Sequence, residues 1–593
     1  MKKNKQVTGG EFIVKETEAN DIFIPEEFDE EQNMIAQTCR DFLEAEVYPN
    51  LDRIDQQEEG LMPELLTKAG ELGLLGISIP EKYEGFEQSF VTSMFAGDVM
   101  GAAYSFAVAY SCHTGIGSLP ILYYGNDEQK EKYLPKLASG EWKGAYALTE
   151  PNAGSDANAG KTNATLSEDG KYYLLNGQKN WTTNSGFAHV ITVFAKIDND
   201  RVLSAFIIER NFPGLGFSPE EKKMGIKGSS TRQLFFNDCK VPVENLLGNR
   251  GQGFRIALNI LHMGRIKLGG NVLGAAKYAI NQSVQYANER KQFKMLISSF
   301  GSIKHKLAEQ VIKHFVTESA VYRASYNVDQ YVEQSLDEMI KEKATIDAYA
   351  QFAVEAAILK VFASETLDYI VDENVQIYGG MGYSSELNVE KGYRDSRINR
   401  IFEGTNEINK ILVVDTVLKR GAKGYFDLFG EAEKAYKNLV NLSGTPEPEG
   451  DFYTEKKRII RNFRKIALFL IHAASEKFQR KLVYEQEILN NIADIIMLLY
   501  VSESSLLRVE KLENIKDSGQ IKVYKDIIDV FVYDASGKIS KFAKDAIYSF
   551  AEGEMKDLLV KGINYYTSIS GVNTKEARRR IADKLIDDNK YDF

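Results

Sequence analysis

YALTEPNAGSDANAG, residues 146–160, stands where the chain changes character. Before it, from residue 27 to about 140, apolar residues fall at helix spacing. In DEEQNMIAQTCRDFLEAEVYPNL, the side chains of Ile35, Cys39, Phe42 and Leu43 share one face. Turn signals such as those in GISIPEKYEGF then punctuate short helices. After it, to about residue 245, HVITVFAKI and VLSAFIIER are short β-branched and aromatic runs bounded by polar turns. KYYLLNGQKNWTTN sets Asn176-Gly177 between β-prone runs, which predicts a hairpin turn. The stretch itself gathers Thr149, Asn152, Gly154, Ser155 and Asp156 in a loop. Its N–H groups and hydroxyls are donors for phosphates or for a ring edge, with a plain polar connection as the alternative.

From Gly251 to about Arg420 the helical period returns. Ile303, Leu307, Val311 and Phe315 step by four, and Ile358, Val361 and Phe362 mark a second stripe. SGTPEPEGD, residues 443–451, reads as a linker, and further long helices follow it. The expected division is a helical domain at 27–143, a β domain at 144–247, a helical bundle at 248–425 and an extra helical domain at 452–593. The fold class is a multidomain α+β protein.

The bulk properties suit that reading. At 593 residues, with 44% hydrophobic and 26% charged, the chain has material for about three or four domains. A net charge of −11 argues against a general nucleic-acid binder. Cys39, Cys112 and Cys239 are too few and too scattered for a disulfide framework and fit a reducing compartment. No segment reaches the roughly 18 apolar residues of a membrane span, and MKKNKQVTGGEFIVKETEAND lacks a secretion-signal core. A cytoplasmic protein, able to touch a membrane but not to cross it, is expected.

GNRGQGF at 248–254 and YGGMGY at 378–383 are glycine-rich, but neither is a full dinucleotide loop between strand and helix. Gly379, Gly380 and Gly382 instead allow a tight turn or a close backbone approach. No phosphate-loop signature occurs, and the six histidines form no metal-ligand spacing, so no metal is expected. His262 and His305 read as ordinary surface or packing residues. WTT at 181–183 puts an indole beside two hydroxyls, either to cover a flat ligand or to fill a core. RIFEGTNE at 400–407 places Glu403 between Phe402 and Gly404, which suggests a charge held at the wall of an apolar cavity.

YALTEPNAGSD, NGQKNWTTN, MGIKGSSTRQLFF, ERKQF, QIYGGMGY and YRDSRINRIFEGTNEI occur in the order and approximate spacing of the acyl-CoA dehydrogenase family. The resemblance covers roughly residues 30 to 420. The helical tail makes the chain most similar to the very-long-chain branch. The resemblance implies an N-terminal α-helical domain, a middle β-barrel domain and an α-helical bundle, clasping FAD and an acyl-CoA thioester.

It also implies roles. The family's base lies in a Phe/Tyr-Glu-Gly-Thr motif, which assigns it to Glu403. That base removes the α-hydrogen as a proton while FAD takes the β-hydrogen as a hydride. An apolar wall such as Phe402 strengthens a carboxylate base, and Gly404 lets the substrate come close. Some relatives carry the base just before the arginine matching Arg265, where this chain has Gly264. The N–H of Glu403, with a ribityl hydroxyl, is expected to polarise the thioester carbonyl. Arg265 matches a substrate-binding arginine, although His262 stands where medium-chain relatives have an aspartate. FAD contacts map onto Tyr146, Thr149, Ser155, Trp181, Thr183, Thr405 and Glu407, with Ser155 also facing substrate. Arg290, Phe293, Gln376, Gly379 and Gly380 match residues that reach the FAD of a neighbouring subunit. Lys294 and Lys304 depart from the family pattern and are expected to alter FAD contacts. Gly115 and Gly117 in HTGIGSLPIL suggest a long acyl pocket, although Pro120 replaces a second glycine of the very-long-chain pattern.

KKRIIRNFRKIALFLIH at 456–472 is a basic amphipathic helix of a kind that lies on anionic membranes or packs in a tail domain. The expected activity is dehydrogenation of long-chain acyl-CoA in fatty-acid β-oxidation, by a homodimer passing electrons to an electron-transfer flavoprotein. A flavin oxidase on the same fold and a non-catalytic assembly factor are the alternatives.

Overall fold

Asp29 starts the first long helix, α1 (Glu30–Phe42), by accepting from the Gln32 N–H while Gln32 reaches back to the Asp29 N–H. Cys39, Phe42 and Leu43 point inward from it, as their spacing predicts, with Ile35 at the edge. The computed structural model describes residues 7–444, 446 and 450–593. Four of the nine residues of the expected linker at 443–451 therefore lie outside the described residues. After α1 come α2 (Leu61–Glu71), α3 (Phe90–Gly101), α4 (Ser105–Ser111) and α5 (Asp127–Ala138). A π-helical turn, Cys112–Gly117, follows α4.

The middle region is one mixed sheet. Its strands are β1 (Gly144–Ala147), β2 (Asn163–Leu166), β3 (Tyr172–Thr183), β4 (Val190–Ile197), β5 (Ser204–Glu209), β6 (Leu215–Phe217), β7 (Thr231–Pro242) and β8 (Leu246–Leu247). The hydrogen-bonded order is β6-β7-β3-β2-β4-β5-β8, and β1 branches off in parallel with β4. The predicted hairpin at Asn176-Gly177 does not exist. Both residues lie inside β3, where the register with β7 shifts between Leu175 and Gly177. Gly177 has φ +146°, and a Cβ there would sit 2.6 Å from the Thr162 hydroxyl. Asn176 bonds Asp238 on β7 in both directions. A bulge needs the same permissive residues as a tight turn, so Asn-Gly signals either one.

The bundle consists of α6 (Gly253–Glu289), α7 (Gly301–Ser335), α8 (Ala353–Tyr378) and α9 (Asn406–Ala422). The 303–315 stripe lies on α7, with Leu307, Val311 and Phe315 fully buried. α3 crosses α6 at backbone contact: a Cβ on Gly101 would lie 1.8 Å from the Asn271 carbonyl oxygen. That crossing brings the end of α3 to the cavity described below.

The tail is helical throughout: α10 (Phe452–Phe478), α11 (Gln486–Leu512), α12 (Ser518–Phe550), α13 (Gly553–Tyr566) and α14 (Thr574–Asp588). α11 packs on α7 and α9, and α14 packs on α7. Five basic residues of α10 are spent on acidic partners inside the chain, and Lys465 lies over the Tyr566 ring. Lys456 pairs with Asp529, Lys457 with Glu510, Arg458 with Glu455, Arg461 with Glu16 and Arg464 with Glu503. Lys304 likewise pairs with Asp583 of α14, so its charge docks the tail.

Residues 11–27 carry three short 3-10 turns that run between bundle and tail, burying Phe12, Ile13, Ile22 and Ile24 and leaving most of the polar residues between them exposed. Arg508 of α11 ties the three parts together. It is 1% exposed, donates to Glu318 of α7 at 2.8 Å and to Glu26 at 2.7 Å, and lies 4.1 Å from the Phe315 ring centre. Arg508→Ala leaves Glu318 without this partner in a dry seam. It should lower stability by about 3–5 kcal/mol, read from the unfolding midpoint.

Candidate active site

The chain reverses at Glu403. Glu403 and Gly404 have φ of +59° and +82°, between a 3-10 turn (Arg397–Arg400) and α9. A positive φ at a non-glycine residue is costly, and the surroundings hold this one in place. The Glu403 carbonyl accepts from Arg265 Nε at 3.0 Å and from Asn409 Nδ2 at 3.4 Å. The same amide of Asn409 donates to the carbonyls of Gly404 and Thr405. Thr405 caps α9 by accepting the Ile408 N–H. With its carbonyl fixed backwards, the Glu403 side chain is turned into a cavity.

That cavity encloses about 1180 Å³, its open mouth included. Phe402, Met263, Leu268, Ile116, Ile398 and Cys112 are among its walls around Glu403. It runs on along α6 and α8 to Tyr104, Tyr278 and Gln282. Glu403 Oε2 is buried with no hydrogen-bond partner. Burial pushes this carboxyl up to about 7, against the opposing pull of the Arg265 and Lys360 charges. Among the described residues no protein acceptor takes the Glu403 N–H. A Cβ on Gly264 would lie 2.9 Å from Glu403 Oε2, so the glycine is what lets the carboxylate rest on α6.

Arg265 is 4% exposed and lies behind the loop, outside the cavity lining. It holds the Glu403 loop through that loop's carbonyl. Of the two readings of His262, surface or packing, the structure shows packing. Burial and Arg265 push it down to about 3, so it stays neutral, within 3.2 Å of Arg265 Nη1. Cys112 is pushed up to about 12 by burial and remains a thiol. Of the two pocket glycines, Gly115 lines the cavity opposite the stem of Lys267. Gly117 does not: a Cβ there would meet the Gly144 carbonyl carbon at 2.8 Å, so it allows the π turn to press on β1.

Thr183, at the end of β3, lines the cavity with Glu403. Tyr146, on β1, stays a neutral phenol because burial and then the nearby Glu403 charge push it well up, and its hydroxyl is buried without a partner. Trp181 has φ +59° and is 58% exposed, an indole turned outward from a strand. Thr149 is half-buried and Ser155 exposed, in the loop after β1. Glu407 is exposed in the first turn of α9.

Arg290, Phe293, Gln376, Gly379 and Gly380 are not in this cavity. They are exposed where α6 and α8 end, joined there by the Tyr286–Tyr378 ring stack at 4.0 Å. Phe293 is 88% exposed.

Comparison with known proteins decides what this arrangement belongs to. Residues 29–141, 145–239 and 251–418 match the N-terminal, middle and C-terminal domain models of acyl-CoA dehydrogenase. The chain belongs to the acyl-CoA dehydrogenase family. Residues 462–564 match a further acyl-CoA dehydrogenase C-terminal domain, so the tail is also a family feature. A probable acyl-CoA dehydrogenase of Bacillus subtilis is 43% identical over 586 residues, 98% of each chain. The rat mitochondrial very-long-chain specific acyl-CoA dehydrogenase is 34% identical over 507 residues, 81% of this chain and 74% of its own. A crystal structure of acyl-CoA dehydrogenase complexed with FAD, from Bacillus anthracis, superposes with a TM-score of 0.96. It is 44% identical and covers 99% of this chain and 100% of its own.

In this acyl-CoA dehydrogenase family member, the apolar cavity has a buried carboxylate in its wall. Its residues also fit a flat redox cofactor on the sheet side. The Tyr146 hydroxyl is orphaned, Thr183 opens onto the cavity and the Trp181 ring faces outward. Lys360, Asn409, Cys112 and Lys267 had no signal in any motif. Lys360 sits in the apolar run AILKVFAS and reads there as a helix residue reaching for solvent.

Proposed function

We propose that this enzyme uses FAD to convert long-chain acyl-CoA to trans-2-enoyl-CoA, with Glu403 as the base. One observation carries the reading: a buried, partnerless carboxylate oxygen in the wall of a large, mostly apolar cavity. Glu403 takes the α-hydrogen from C2 as a proton. Bound FAD supplies the two-electron acceptor for the β-hydrogen, which leaves C3 as a hydride while the C2–C3 double bond forms. The Glu403 N–H donates to the thioester carbonyl as negative charge develops there. Phe402 and Gly404 shape the wall beside the reacting carbons. Arg265 and Asn409 hold the base where the proton must arrive.

Tyr146, Thr149, Ser155, Trp181, Thr183, Thr405 and Glu407 are the proposed FAD contacts within the chain. The exposed group at Arg290, Phe293, Gln376, Gly379 and Gly380 is proposed to meet a second copy in a homodimer. The cavity's reach to Tyr104 and Tyr278 favours a long acyl tail. The proposed setting is β-oxidation, with electrons leaving to an electron-transfer flavoprotein. No helix among the described residues is long and apolar enough to cross a membrane. Five of the charges that would draw α10 to lipid are paired within the chain and Lys465 lies over the Tyr566 ring, so the tail's proposed role is packing against the bundle.

Anaerobic titration of the purified holoenzyme with acyl-CoAs from C4 to C20 is the test. Flavin absorbance should bleach, with tightest response to long chains. A flavin that no acyl-CoA bleaches would defeat the proposal. Fast reoxidation by oxygen instead of by electron-transfer flavoprotein would make the enzyme an oxidase.

A further inference from the structure

Three of the buried lysines have an acid in ion-pair range: Lys130 with Glu342 at 3.9 Å, Lys179 with Glu150 at 2.7 Å and Lys456 with Asp529 at 2.5 Å. Among the described residues Lys143, which bonds the Thr67 hydroxyl, and Lys360 do not. Lys360 is fully buried on α8, between Leu359 and Val361, and among the described residues no carboxylate lies in ion-pair range of its ammonium. Its hydrogen bond goes to Asn406 Oδ1 at 2.7 Å, on the first residue of α9. Asn406 is itself held by Ser364 and Glu365 of α8. The ammonium is therefore fastened beneath the Glu403 loop, three residues from the base. An unpaired buried charge is expensive, and such expense collects at functional sites.

We propose that Lys360 is a positioning residue whose buried ammonium keeps the Glu403 carboxylate ionised, ready to accept the substrate's proton. The inference rests on the reading of Glu403 as the base. The groups facing Glu403 are Arg265 and its neighbour His262 on α6, Cys112 in the π turn, Tyr146 on β1 and Lys360 on α8. His262, Cys112 and Tyr146 stay neutral at physiological pH, so Arg265 and Lys360 supply the positive potential. Lys360 in turn faces Glu403, Arg265, Glu407 and Glu365. Burial pushes the lysine down and the carboxyl up, and the charge on each favours the charge on the other. Arg265 cannot vary in this way, because guanidinium stays protonated. The two cations thus divide the work: Arg265 fixes the loop carbonyl, and Lys360 biases the carboxylate's proton.

The test is the pH profile of flavin reduction in the holoenzyme, at saturating long-chain acyl-CoA, for wild type, Lys360→Met and Asn406→Asp. The aspartate is nearly isosteric and places an anion against the ammonium, cancelling its charge as seen from Glu403. A β-thia acyl-CoA, which has an acidic α-hydrogen but no β-hydride to give, provides a second readout of proton removal alone. Both variants should move the acid limb upward by about one pH unit or more, costing about tenfold at pH 7 and little at pH 9. The β-thia complex should shift in parallel. Ser364→Ala, which loosens Asn406 without touching the charge, should leave the limb in place. An unmoved limb in Asn406→Asp, or a loss equal at every pH in Lys360→Met, would show a mere strut and overturn the inference. If wild type itself were not bleached, the parent reading would have failed instead.

Discussion

Glu403→Gln should bind acyl-CoA, leave the flavin oxidised, and unfold at a higher temperature than wild type. The first two results follow from chemistry. Glutamine keeps the shape and cannot take a proton, and a positioned general base is worth roughly 10²–10⁴ in rate. The loss belongs at the top of that range because, among the described residues, Asp395 is the one other carboxylate lining the cavity, and it already accepts the Ile226 N–H. The third result is less expected and follows from the sign of the titration. The folded-state value is about 7, raised from an ordinary 4.5. Below pH 4.5 both states hold the proton and the residue contributes nothing. Between 4.5 and 7 the unfolded chain ionises while the folded chain resists, so stability falls as pH rises. Above 7 the full penalty is present, roughly 3 kcal/mol for a shift of this size. Glutamine carries no such penalty. In a chain of 593 residues, about 3 kcal/mol corresponds to a midpoint shift of about 2 °C. The gain should be seen at pH 8 and vanish at pH 4. Wild-type flavin reduction should show the mirror image, rising with pH through about 7. A destabilised Glu403→Gln at pH 8 would mean that the carboxylate is held by favourable contacts absent from this description.

The same residue shows what was legible in the sequence. Phe402-Glu403-Gly404 is an unreasonable surface and an unreasonable core, and only a cavity wall reconciles it. The stripes on α1 and α7 were equally plain, because one face repeats whatever it packs against. Asn176-Gly177 misled because bulge and hairpin ask for the same backbone freedom, and only the partner strand distinguishes them. Gly115 and Gly117 look alike in the chain, yet one opens the cavity and the other admits β1. The burial of Phe12, Ile13, Ile22 and Ile24 was out of reach, since the surface that covers them is supplied by α10 and α11, more distant in the chain than any local pattern extends. Lys360 was illegible for a related reason: a lysine that snorkels and a lysine sealed under a loop are spelled identically.

Gly264 gives the sharpest geometric test. Its missing side chain is the space that the Glu403 carboxylate occupies, with Oε2 at 2.9 Å and Cδ at 3.2 Å from where a Cβ would stand. Those are hard contacts from a helix backbone that α3 and α8 hold rigid, so the mobile partner must yield. Gly264→Ala should push the carboxylate off the proton's path and cost about 10²-fold in flavin reduction, because misplacement of about 1 Å is felt at that level. Folding and FAD content should be unchanged. The relation also runs in reverse. A glutamate grown from position 264 enters the same apolar space from the opposite wall. Gly264→Glu combined with Glu403→Gly should therefore recover at least tenfold of the activity that Glu403→Gly alone destroys. Gly264→Glu alone puts two carboxyls in one dry site. One must stay protonated, which should move the acid limb of the profile well above 7. Full activity in Gly264→Ala would mean that the base works from a rotamer other than the one lying on α6.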